Sequence, residues 1–574
     1  MPKKNIPDDI SKDIEEFSHV VEEASQEPEP TTLKELESIL RNRGFKEREK
    51  KEYTTGKGDN IKVKKPRLTP LEVASILKEY ISFVVIDDIS NPVNLFLLDQ
   101  GIYTDEEAYF FKVISCVENT LSESQARTVI FHLKNEAPIK KRYTGDNYAC
   151  VGNGLFNFTT KTLEPYRPDI IFTSKIATDY KEFDTEPSRQ GWTFSTMLKE
   201  WANGDKELEA VLWQIIRASV QLKNREQFVL FRDSGTGRTG KGTAQEFISS
   251  LVGKSNVLPL TMKELTKDHQ TEGIEKAQVI IGDDNDAKAF LDEPRVIKSL
   301  ATGDPININP KKMKRYSFQG TPLIIQSING HLKTSDMSNA FKRRMLIVPF
   351  IRSYKGSKGN PKIKNEYAHD KEILQYILYE ALQLEDFTLF IQPEISKKIL
   401  HEFTLENDVV ADFYENVFKQ FQSARLRVDF VYNYFVRWAG TVGKPSKVSQ
   451  RMFVSRLNEF VADSDEWEHT GQTALQVLDY FLEEDNLVDD RPFLDELTYI
   501  QESYRRKRKS CYVNKKREHE LELKAIDMEI RELEDTSEAI QNGRGNMKML
   551  DLDSHNKKLK EMKQYRDDFM QSYS

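Results

Sequence analysis

The spacing of apolar residues changes several times along the chain, and these changes predict its secondary structure. The segment LEVASILKEYISFVV, from Leu71, has helical spacing, whereas VGNGLFNFTTKTLEPYRP, from Val151, alternates like a hairpin. The apolar runs VIIG, PLIIQSI and RMLIVPF follow one another between residues 279 and 350, separated by helical or turn segments. This order is typical of a three-layer α/β nucleotide-binding domain.

The chain becomes mainly helical after residue 366. LENDVVADFYENVF, VDFVYNYFVRWAGTVG and SQRMFVSRLNEFV have the pattern of amphipathic helices in a small helical or winged-helix unit. Nearer the end, Leu523, Ile526, Ile530 and Leu533 keep a 3-4-3 spacing, and a second apolar stripe follows the loop NGRGN. This pattern predicts an antiparallel helical hairpin.

Together these patterns predict a multidomain protein around an α/β nucleotide-binding core, with a mainly helical domain before the core and winged-helix and helical domains after it. The predicted regions are a disordered acidic and then basic tail or linker (1–67), the mainly helical N-terminal domain (68–221), the α/β nucleotide-binding domain (222–352), the helical or winged-helix domain (353–480), and a basic segment with the C-terminal helical hairpin (481–574).

Charge and cysteine content restrict where such a protein works. A formal net charge of −8 repels nucleic acid, so DNA binding requires local basic patches. The three cysteines are far apart, and no apolar run reaches the roughly 20 residues of a membrane helix. We therefore expect a cytoplasmic protein with no membrane partner. One basic run either contacts duplex DNA or is a solvated linker: Arg505, Arg506, Lys507, Arg508 and Lys509.

The segment QFVLFRDSGTGRTGKGTAQEF, from Gln227, joins an apolar strand to a glycine-rich loop and a helix. Glycines in such a loop turn backbone N–H groups toward a phosphate, and the lysine at its end neutralises the β and γ oxygens. Gly242 stands where a P-loop normally has Ser or Thr, so either Thr243 or water takes that place on magnesium. The predicted ATP-binding residues are Gly235, Gly237, Thr239, Gly240, Lys241, Gly242 and Thr243.

The run AQVIIGDDND offers the carboxylates that ATP hydrolysis requires. Asp283 is the candidate ligand of Mg²⁺, and Asp284 is the candidate base that polarises water. Asn285 or Asp286 could share either role. At the end of a later apolar strand, Asn329 is a candidate to hold the attacking water or to sense the γ-phosphate; the alternative is a polar strand end in a turn.

Two groups of cations follow in the same region. Arg343 and Arg344 precede the strand MLIVPF, and one of them could be an arginine finger for the nucleotide of a neighbouring subunit. The segment 306–318 has the pattern of a β-hairpin whose basic tip suits the phosphates of single-stranded DNA, or is a solvated loop. The residues of the tip are Lys311, Lys312, Lys314 and Arg315.

The order and spacing of these motifs resemble the superfamily 3 helicases, AAA+ motors of viruses, phages and plasmids, and in particular their phage/plasmid primase-helicase branch. The likeness rests on GTGRTGKGT, VIIGDD, KSLATGDPININPKKMK, IIQSIN and NAFKRRMLIVPF, and it covers about residues 90–465. Replication initiators of staphylococcal pathogenicity islands look similar to this chain. The proline that usually follows the family's sensor asparagine is absent here, where NGHLK stands.

The resemblance implies an ATP-dependent DNA helicase and replication initiator of a mobile genetic element, with ATP and Mg²⁺ as cofactors. It implies an AAA+ core in a hexameric ring, in which Lys241 and Asp283 act in cis and Arg343 or Arg344 enters from the next subunit. Single-stranded DNA would pass the basic hairpins in the pore, and duplex origin DNA and host replication proteins would be further partners. The implied location is the bacterial cytoplasm.

Two other functions fit parts of the sequence. An origin-recognition ATPase or loader, which changes shape with ATP but never unwinds DNA, would have much the same motifs. A nucleoside monophosphate kinase shares the GKGT loop, but such kinases begin with that loop, and over 220 residues precede it here. Strand displacement separates the helicase from the loader, and phosphorylation of AMP identifies the kinase.

Overall fold

The computed structural model divides into two compact units, Met1–Leu400 and His401–Ser574. It describes residues 30, 32–55, 62–233, 237–267, 272–285, 290–291, 294–309, 316–330, 332–334, 336, 338–355, 359–421, 423–444, 447–473, 509–542 and 550–572. Among them, no helix is both long and apolar enough to cross a membrane.

The first unit begins with helices and three small sheets. Up to the glycine-rich loop its elements are α1 (Leu33–Lys50), β1 (Tyr53–Thr55), β2 (Lys62–Lys64), α2 (Pro70–Tyr80), β3 (Phe83–Ile86), β4 (Val93–Leu97), β5 (Ile102–Thr104), α3 (Glu107–Val117), α4 (Glu123–Glu136), β6 (Ile139–Lys140), β7 (Tyr148–Val151), β8 (Gly154–Asn157), β9 (Thr162–Glu164), α5 (Phe194–Trp201), α6 (Lys206–Ser219) and β10 (Phe228–Asp233). Capping boxes at Thr32, Thr69 and Ser122 fix where α1, α2 and α4 begin.

These elements form a separate apolar core before the glycine-rich loop. Helices α1 to α4 pack on a four-stranded sheet of order β5-β4-β3-β6. The segment 151–168 contains the antiparallel hairpin β8-β9, in agreement with its alternating pattern, and β7 extends the hairpin to a three-stranded meander. The N-terminal region is therefore helical, as predicted, with two small sheets added.

The rest of the first unit is built on a parallel sheet. Its elements are α7 (Lys241–Val252), β11 (Val257–Pro259), α8 (Met262–Leu265), β12 (Val279–Asn285), β13 (Phe290–Leu291), α9 (Arg295–Thr302), β14 (Ile306–Ile308), β15 (Tyr316–Phe318), β16 (Leu323–Asn329), β17 (Lys333–Thr334), α10 (Asn339–Lys342), β18 (Met345–Pro349), α11 (Pro361–Asn365), α12 (Lys371–Gln383) and α13 (Glu394–Asn407), which crosses the unit boundary.

Five strands of this region pair in the order β11-β12-β16-β10-β18, and every neighbouring pair is parallel. Counted along the chain, the spatial order is 5-1-4-3-2. The carboxyl ends of parallel strands lie at one edge of a sheet, where α/β proteins bind ligands. The loop after β10 and the acidic end of β12 are therefore brought to the same edge.

The second unit is a small mixed domain followed by a helical hairpin. Its elements are α14 (Val409–Asn416), β19 (Arg425–Arg427), α15 (Val428–Thr441), α16 (Gln450–Ala462), β20 (Trp467–Thr473), β21 (Lys509–Asn514), α17 (Lys515–Gln541) and α18 (Leu550–Gln571). Helices α14 to α16 pack against an antiparallel sheet of order β19-β21-β20. In the hairpin, α18 lies antiparallel to α17, with Arg566 bonded to Asp527.

Some boundaries between the predicted regions do not coincide with the boundaries of the packed domains. The prediction of a disordered tail is wrong for Leu33–Lys50, because α1 buries Leu36 and Leu40 in the N-terminal core. The core of the parallel sheet includes side chains of α5, α6, α11 and α12, so it extends beyond 222–352 on both sides. The limit at 480 separates strands of one sheet, since β21 pairs with both β19 and β20.

Candidate nucleotide-binding site

The glycine-rich loop connects the end of β10 to the start of α7. Gly237 and Gly240 have φ angles of 65° and 98°, in the left-handed region that favours glycine. A Cβ atom at Gly240 would also lie 2.5 Å from Nε1 of the buried Trp201. The backbone therefore curls tightly into the N-terminus of α7, where its N–H groups are suited to an anion. Gly235 lies outside the described residues.

Lys241, at the first position of α7, is only 7% exposed. Its Nζ donates to the carboxylate of Asp233 and, at 2.7 Å, to Oδ1 of Asn329. The Thr239 hydroxyl donates to the same Asp233 carboxylate at 3.3 Å. The structure thus joins Lys241 and Asn329 directly. It also adds Asp233, a residue that sequence reasoning missed although it is the polar end of the apolar strand before the loop.

The loop opens into a cavity of about 600 Å³ at the carboxyl edge of the parallel sheet. Most predicted nucleotide and metal residues line it, together with a segment that follows β18. The lining residues are Gly237, Arg238, Thr239, Gly240, Lys241, Gly242, Thr243, Asp283 and Asn329, joined by Met197, Tyr354 and residues 359–361 and 363–365.

Asp283 reaches the cavity from the end of β12. A Cβ atom built on Gly242 would lie 3.8 Å from its Oδ2 atom, so the exposed carboxylate faces the start of α7. The residue before it is Gly282, where an added Cβ would lie 1.9 Å from Oε1 of Gln326 and 2.7 Å from the Leu260 carbonyl oxygen, so a larger residue would require both neighbours to move. Asp284 follows in the same strand, and Asp286 lies outside the described residues.

Asn285 stabilises the fold and is neither a metal ligand nor a base, the two roles that the sequence left open for it. It is buried, its Oδ1 accepts from the Met262 N–H at 2.9 Å, and its Nδ2 donates to Gln326 Oε1 and the Ser327 carbonyl, both at 3.0 Å. With its amide bonded on both sides inside the fold, Asn285 cannot polarise water. Asn285 holds β12 to β16 at the point where their register shifts.

The donor set of the cavity fits a magnesium-nucleotide complex. Asp283 and Thr243 both line the cavity and carry oxygen donors, and Mg²⁺ is commonly held by one or two protein oxygens together with phosphates and water. Within the described part of the chain, no group of three or more His, Cys, Asp or Glu side chains is placed to hold a metal. Nucleotide oxygens and water would therefore complete the coordination.

Arg343 and Arg344 lie at the other end of the sheet. They precede β18, which runs parallel to β10, and the Arg344 carbonyl accepts from the N–H of Phe228, the first residue of β10. Arg343 is exposed, and Arg344 Nη1 donates to the Ala340 carbonyl at 2.6 Å. Neither arginine lines the cavity of its own chain.

The predicted DNA-binding residues fall mostly outside the described part of the chain. The hairpin itself is present, with Ile306 opposite Phe318 and Ile308 opposite Tyr316. The residues of its tip, Lys311, Lys312, Lys314 and Arg315, are not among those described. The same holds for Arg505, Arg506, Lys507 and Arg508. Lys509 begins β21, the central strand of the small sheet in the second unit.

A segment after β18 returns to the loop and was not anticipated from the sequence. The Tyr354 N–H donates to the Arg238 carbonyl at 2.9 Å, and its hydroxyl donates to Glu200 at 3.2 Å. Burial, together with the nearby Glu200 carboxylate, raises the pKa of Tyr354, so the hydroxyl stays protonated at neutral pH. Lys364, on α11, lines the same cavity.

Three protein-family models match separate parts of the chain. A D5 N terminal like model matches residues 111–203, a family of unknown function, DUF5906, matches 234–344, and a Poxvirus D5 protein-like model matches 405–528. The middle match begins at the glycine-rich loop and ends at Arg344. Each model matches less than half of the chain.

Solved structures of the NrS-1 C-terminal region are similar over a large part of the chain. An A form apo structure has 11% sequence identity, covers 72% of this chain and 98% of that one, and gives a TM-score of 0.45. A further apo structure has 12% identity, covers 72% and 97%, and gives a TM-score of 0.43. The two D5-like matches on either side of the nucleotide loop indicate a D5-like primase-helicase family and, with it, an enzyme acting on DNA in replication.

Proposed function

We propose that the protein is an ATP-dependent DNA helicase and replication initiator of a mobile genetic element. In the bacterial cytoplasm it binds and melts its origin, and it then moves along single-stranded DNA as a hexameric ring of identical subunits. The observation that carries the proposal is the convergence of Lys241, Asp283 and Asn329 in one cavity. In this proposal the parallel sheet of order 5-1-4-3-2 is the AAA+ core.

Each residue of the cavity has a task in this proposal. Lys241 binds the β and γ oxygens of ATP, and Asn329, to which it is bonded, holds the attacking water or senses the γ-phosphate. Asp283 and Thr243 would hold Mg²⁺, which offsets the charge of the phosphate oxygens when it is bound. Asp284 is the proposed base.

The arginines and the hairpin support movement on DNA by a ring. Arg343 and Arg344 lie at the sheet edge remote from their own cavity, so an arginine finger from this pair would have to serve the nucleotide of a neighbouring subunit. The hairpin β14-β15 presents its basic tip to single-stranded DNA. Duplex origin DNA and host replication proteins are the remaining proposed partners, with 505–509 as the duplex contact.

The Lys241→Ala variant tests this function. We expect it to lose ATP hydrolysis and the unwinding of a forked duplex, since the phosphates lose their buried cation, while equilibrium binding to origin DNA is retained. Lys254→Ala is the matched control, because Lys254 is an exposed lysine just beyond the same helix. Unchanged hydrolysis in Lys241→Ala would refute the site.

Two assays on the wild-type protein separate the alternatives. DNA-stimulated hydrolysis that leaves the fork intact would identify an origin-recognition ATPase or loader. Stoichiometric conversion of AMP and ATP to ADP would identify a nucleoside monophosphate kinase. The helicase proposal requires strand displacement that depends on ATP.

A further inference from the structure

Position 242 is the point at which this loop departs from an ordinary P-loop, and the structure shows what lies beside it. A Cβ atom built on Gly242 would lie 3.4 Å from Nζ of Lys364 and 3.8 Å from Oδ2 of Asp283. The space that a Ser or Thr side chain would enter is thus bordered by an ammonium group and a carboxylate. Lys364 comes from α11, more than a hundred residues later in the chain.

The position of Lys364 is fixed by the packing of its short helix. Asn360 caps α11 by accepting from the Lys362 N–H at 3.1 Å, and Pro361 occupies the first turn. Ile363, only 9% exposed, belongs to the apolar core that also includes α7. Helix α11 is therefore anchored next to the loop helix, and its next residue lines the nucleotide cavity.

The two lysines of the cavity differ in their partners. Lys241 is bonded to Asp233 and Asn329. Lys364 is exposed and has no hydrogen bond or ion pair with any residue that the structure describes. A lysine is a compact charge on a flexible stem and binds phosphate as a point charge. Unlike Lys241, Lys364 can therefore bind a ligand in the cavity without first breaking a bond to the protein.

We propose that Lys364 binds phosphate oxygens of the nucleoside triphosphate from the side of residue 242, and that Gly242 provides the room for it. The triphosphate is then held between a loop lysine and a lysine from the segment after the last strand of the sheet. A serine at 242 would place its hydroxyl in the space beside this ammonium group. The inference rests on the proposed function, because it assigns a further residue to the same site.

Equilibrium binding of a fluorescent ATP analogue to the full-length protein tests this assignment. We expect Lys364→Ala to bind the analogue roughly tenfold or more weakly, as loss of a charge-assisted hydrogen bond predicts. Lys362→Ala is the matched control, since Lys362 is exposed on the same helix and does not line the cavity. Thermal unfolding of both variants should match that of the wild type.

Two further measurements separate phosphate binding from a general effect of charge. The loss in Lys364→Ala should persist in EDTA, because the lysine contacts phosphate and not the metal. Gly242→Ser should weaken binding in the wild-type background by displacing the ammonium group. It should have little further effect in the Lys364→Ala background, where no ammonium group remains.

The outcomes distinguish failure of the inference from failure of the proposed function. Wild-type protein that does not bind ATP, or Lys241→Ala that binds it normally, would overturn the proposed function. If wild type binds, Lys241→Ala does not, and Lys364→Ala equals Lys362→Ala, the assignment of Lys364 alone is wrong. If the losses of affinity caused by Gly242→Ser and Lys364→Ala are additive in the double variant, the two residues do not act through the same space beside position 242.

Discussion

At the scale of single residues, the loop depends on contacts that lie far apart in the sequence. Glycine is needed at position 240 for two separate reasons. The backbone has a left-handed conformation there, and Trp201 lies too close for a side chain. The first can be anticipated from a P-loop pattern, because such loops need glycine where the chain curls toward a phosphate. The second cannot, since α5 precedes the loop by many residues and meets it only in the folded chain.

Gly240→Ala should therefore be more harmful than an ordinary replacement of a left-handed glycine. We expect it to abolish binding of ATP and to destabilise the protein more than Gly204→Ala. Gly204 has a φ angle of 82° with nothing within 4 Å of an added Cβ, so its replacement should cost only about 1–2 kcal/mol. Thermal unfolding and ATP binding of the two variants provide the comparison. Equal losses would show that the Trp201 contact is unimportant.

The positions of the acidic and polar residues of the cavity could be predicted in part from the sequence. Asp283 and Asn329 each end an apolar strand, and parallel strands bring their carboxyl ends together, so the pattern predicts that they lie close. Asn285 has the same sequence context as Asp283 but points into the fold. A register shift in β12 between Gly282 and Asn285 decides this difference, and a local pattern does not reveal it.

At the scale of elements, helix α1 shows how a basic, charged segment becomes ordered. Its Gly44 lies so close to α3 that an added Cβ would be 2.2 Å from the Val117 carbonyl oxygen. Arg48 bonds that carbonyl at 3.2 Å and pairs with the buried Glu118 at the same distance. The charges that suggest a linker in the sequence thus attach the helix to its domain.

Glu118 provides a pH-dependent test of this attachment. Burial acts to raise its pKa, but hydrogen bonds from Thr120, the Leu68 N–H and Arg48 outweigh burial, and the pKa is lowered. Because the folded pKa lies below that of the unfolded chain, about 4.3, the stabilisation is complete above that pH and is lost as the pH falls through the folded pKa.

Glu118→Gln should therefore lower the free energy of unfolding at neutral pH by roughly 1–3 kcal/mol, because the neutral amide is a poorer acceptor for these donors. The difference between wild type and variant should shrink in acid. Urea unfolding of both proteins at a series of pH values measures it. A difference that does not vary between neutral and acid pH would contradict the role of the charge.

Strand β21 makes the C-terminal boundary testable. It is the central strand of its sheet, and Cys511 and Tyr512 are fully buried. A chain that ends at 514 keeps this strand and loses only the hairpin, whereas a chain that ends at 508 also leaves β19 and β20 without the strand that pairs with both of them. We expect only the shorter chain to lose protection from amide hydrogen exchange in α15 and α16. Equal protection in both chains would contradict this.

At the scale of the whole molecule, the parallel sheet separates the two halves of the proposed ATPase chemistry. The loop lysine lies at the carboxyl edge, and the arginine pair lies at the amino edge beside the start of β10. Arg343 and Arg344 therefore do not reach the proposed nucleotide of their own chain. The proposed site becomes complete only when a second copy supplies the arginine.

Mixing two inactive variants tests whether a second copy of the chain supplies the arginine. Lys241→Ala and Arg344→Ala proteins should each be inactive alone, and their mixture should recover part of the ATPase activity, since some interfaces combine an intact loop with an intact arginine. Repeating the mixture with Arg343→Ala decides which arginine acts. Absence of recovery with both arginine variants, at every ratio, would exclude a finger from this pair.

The sequence by itself determined the strands and helices around the glycine-rich loop and the polar residues at their ends, because apolar spacing and turn residues act locally. It predicted the apolar strands, the phosphate loop, the acidic strand end and the hairpin. Only the tertiary structure decided the strand order, the bonds of Lys241 to Asp233 and Asn329, and the return of Lys364 to the loop. Those features depend on which distant surfaces pack together, and packing is a property of the whole chain.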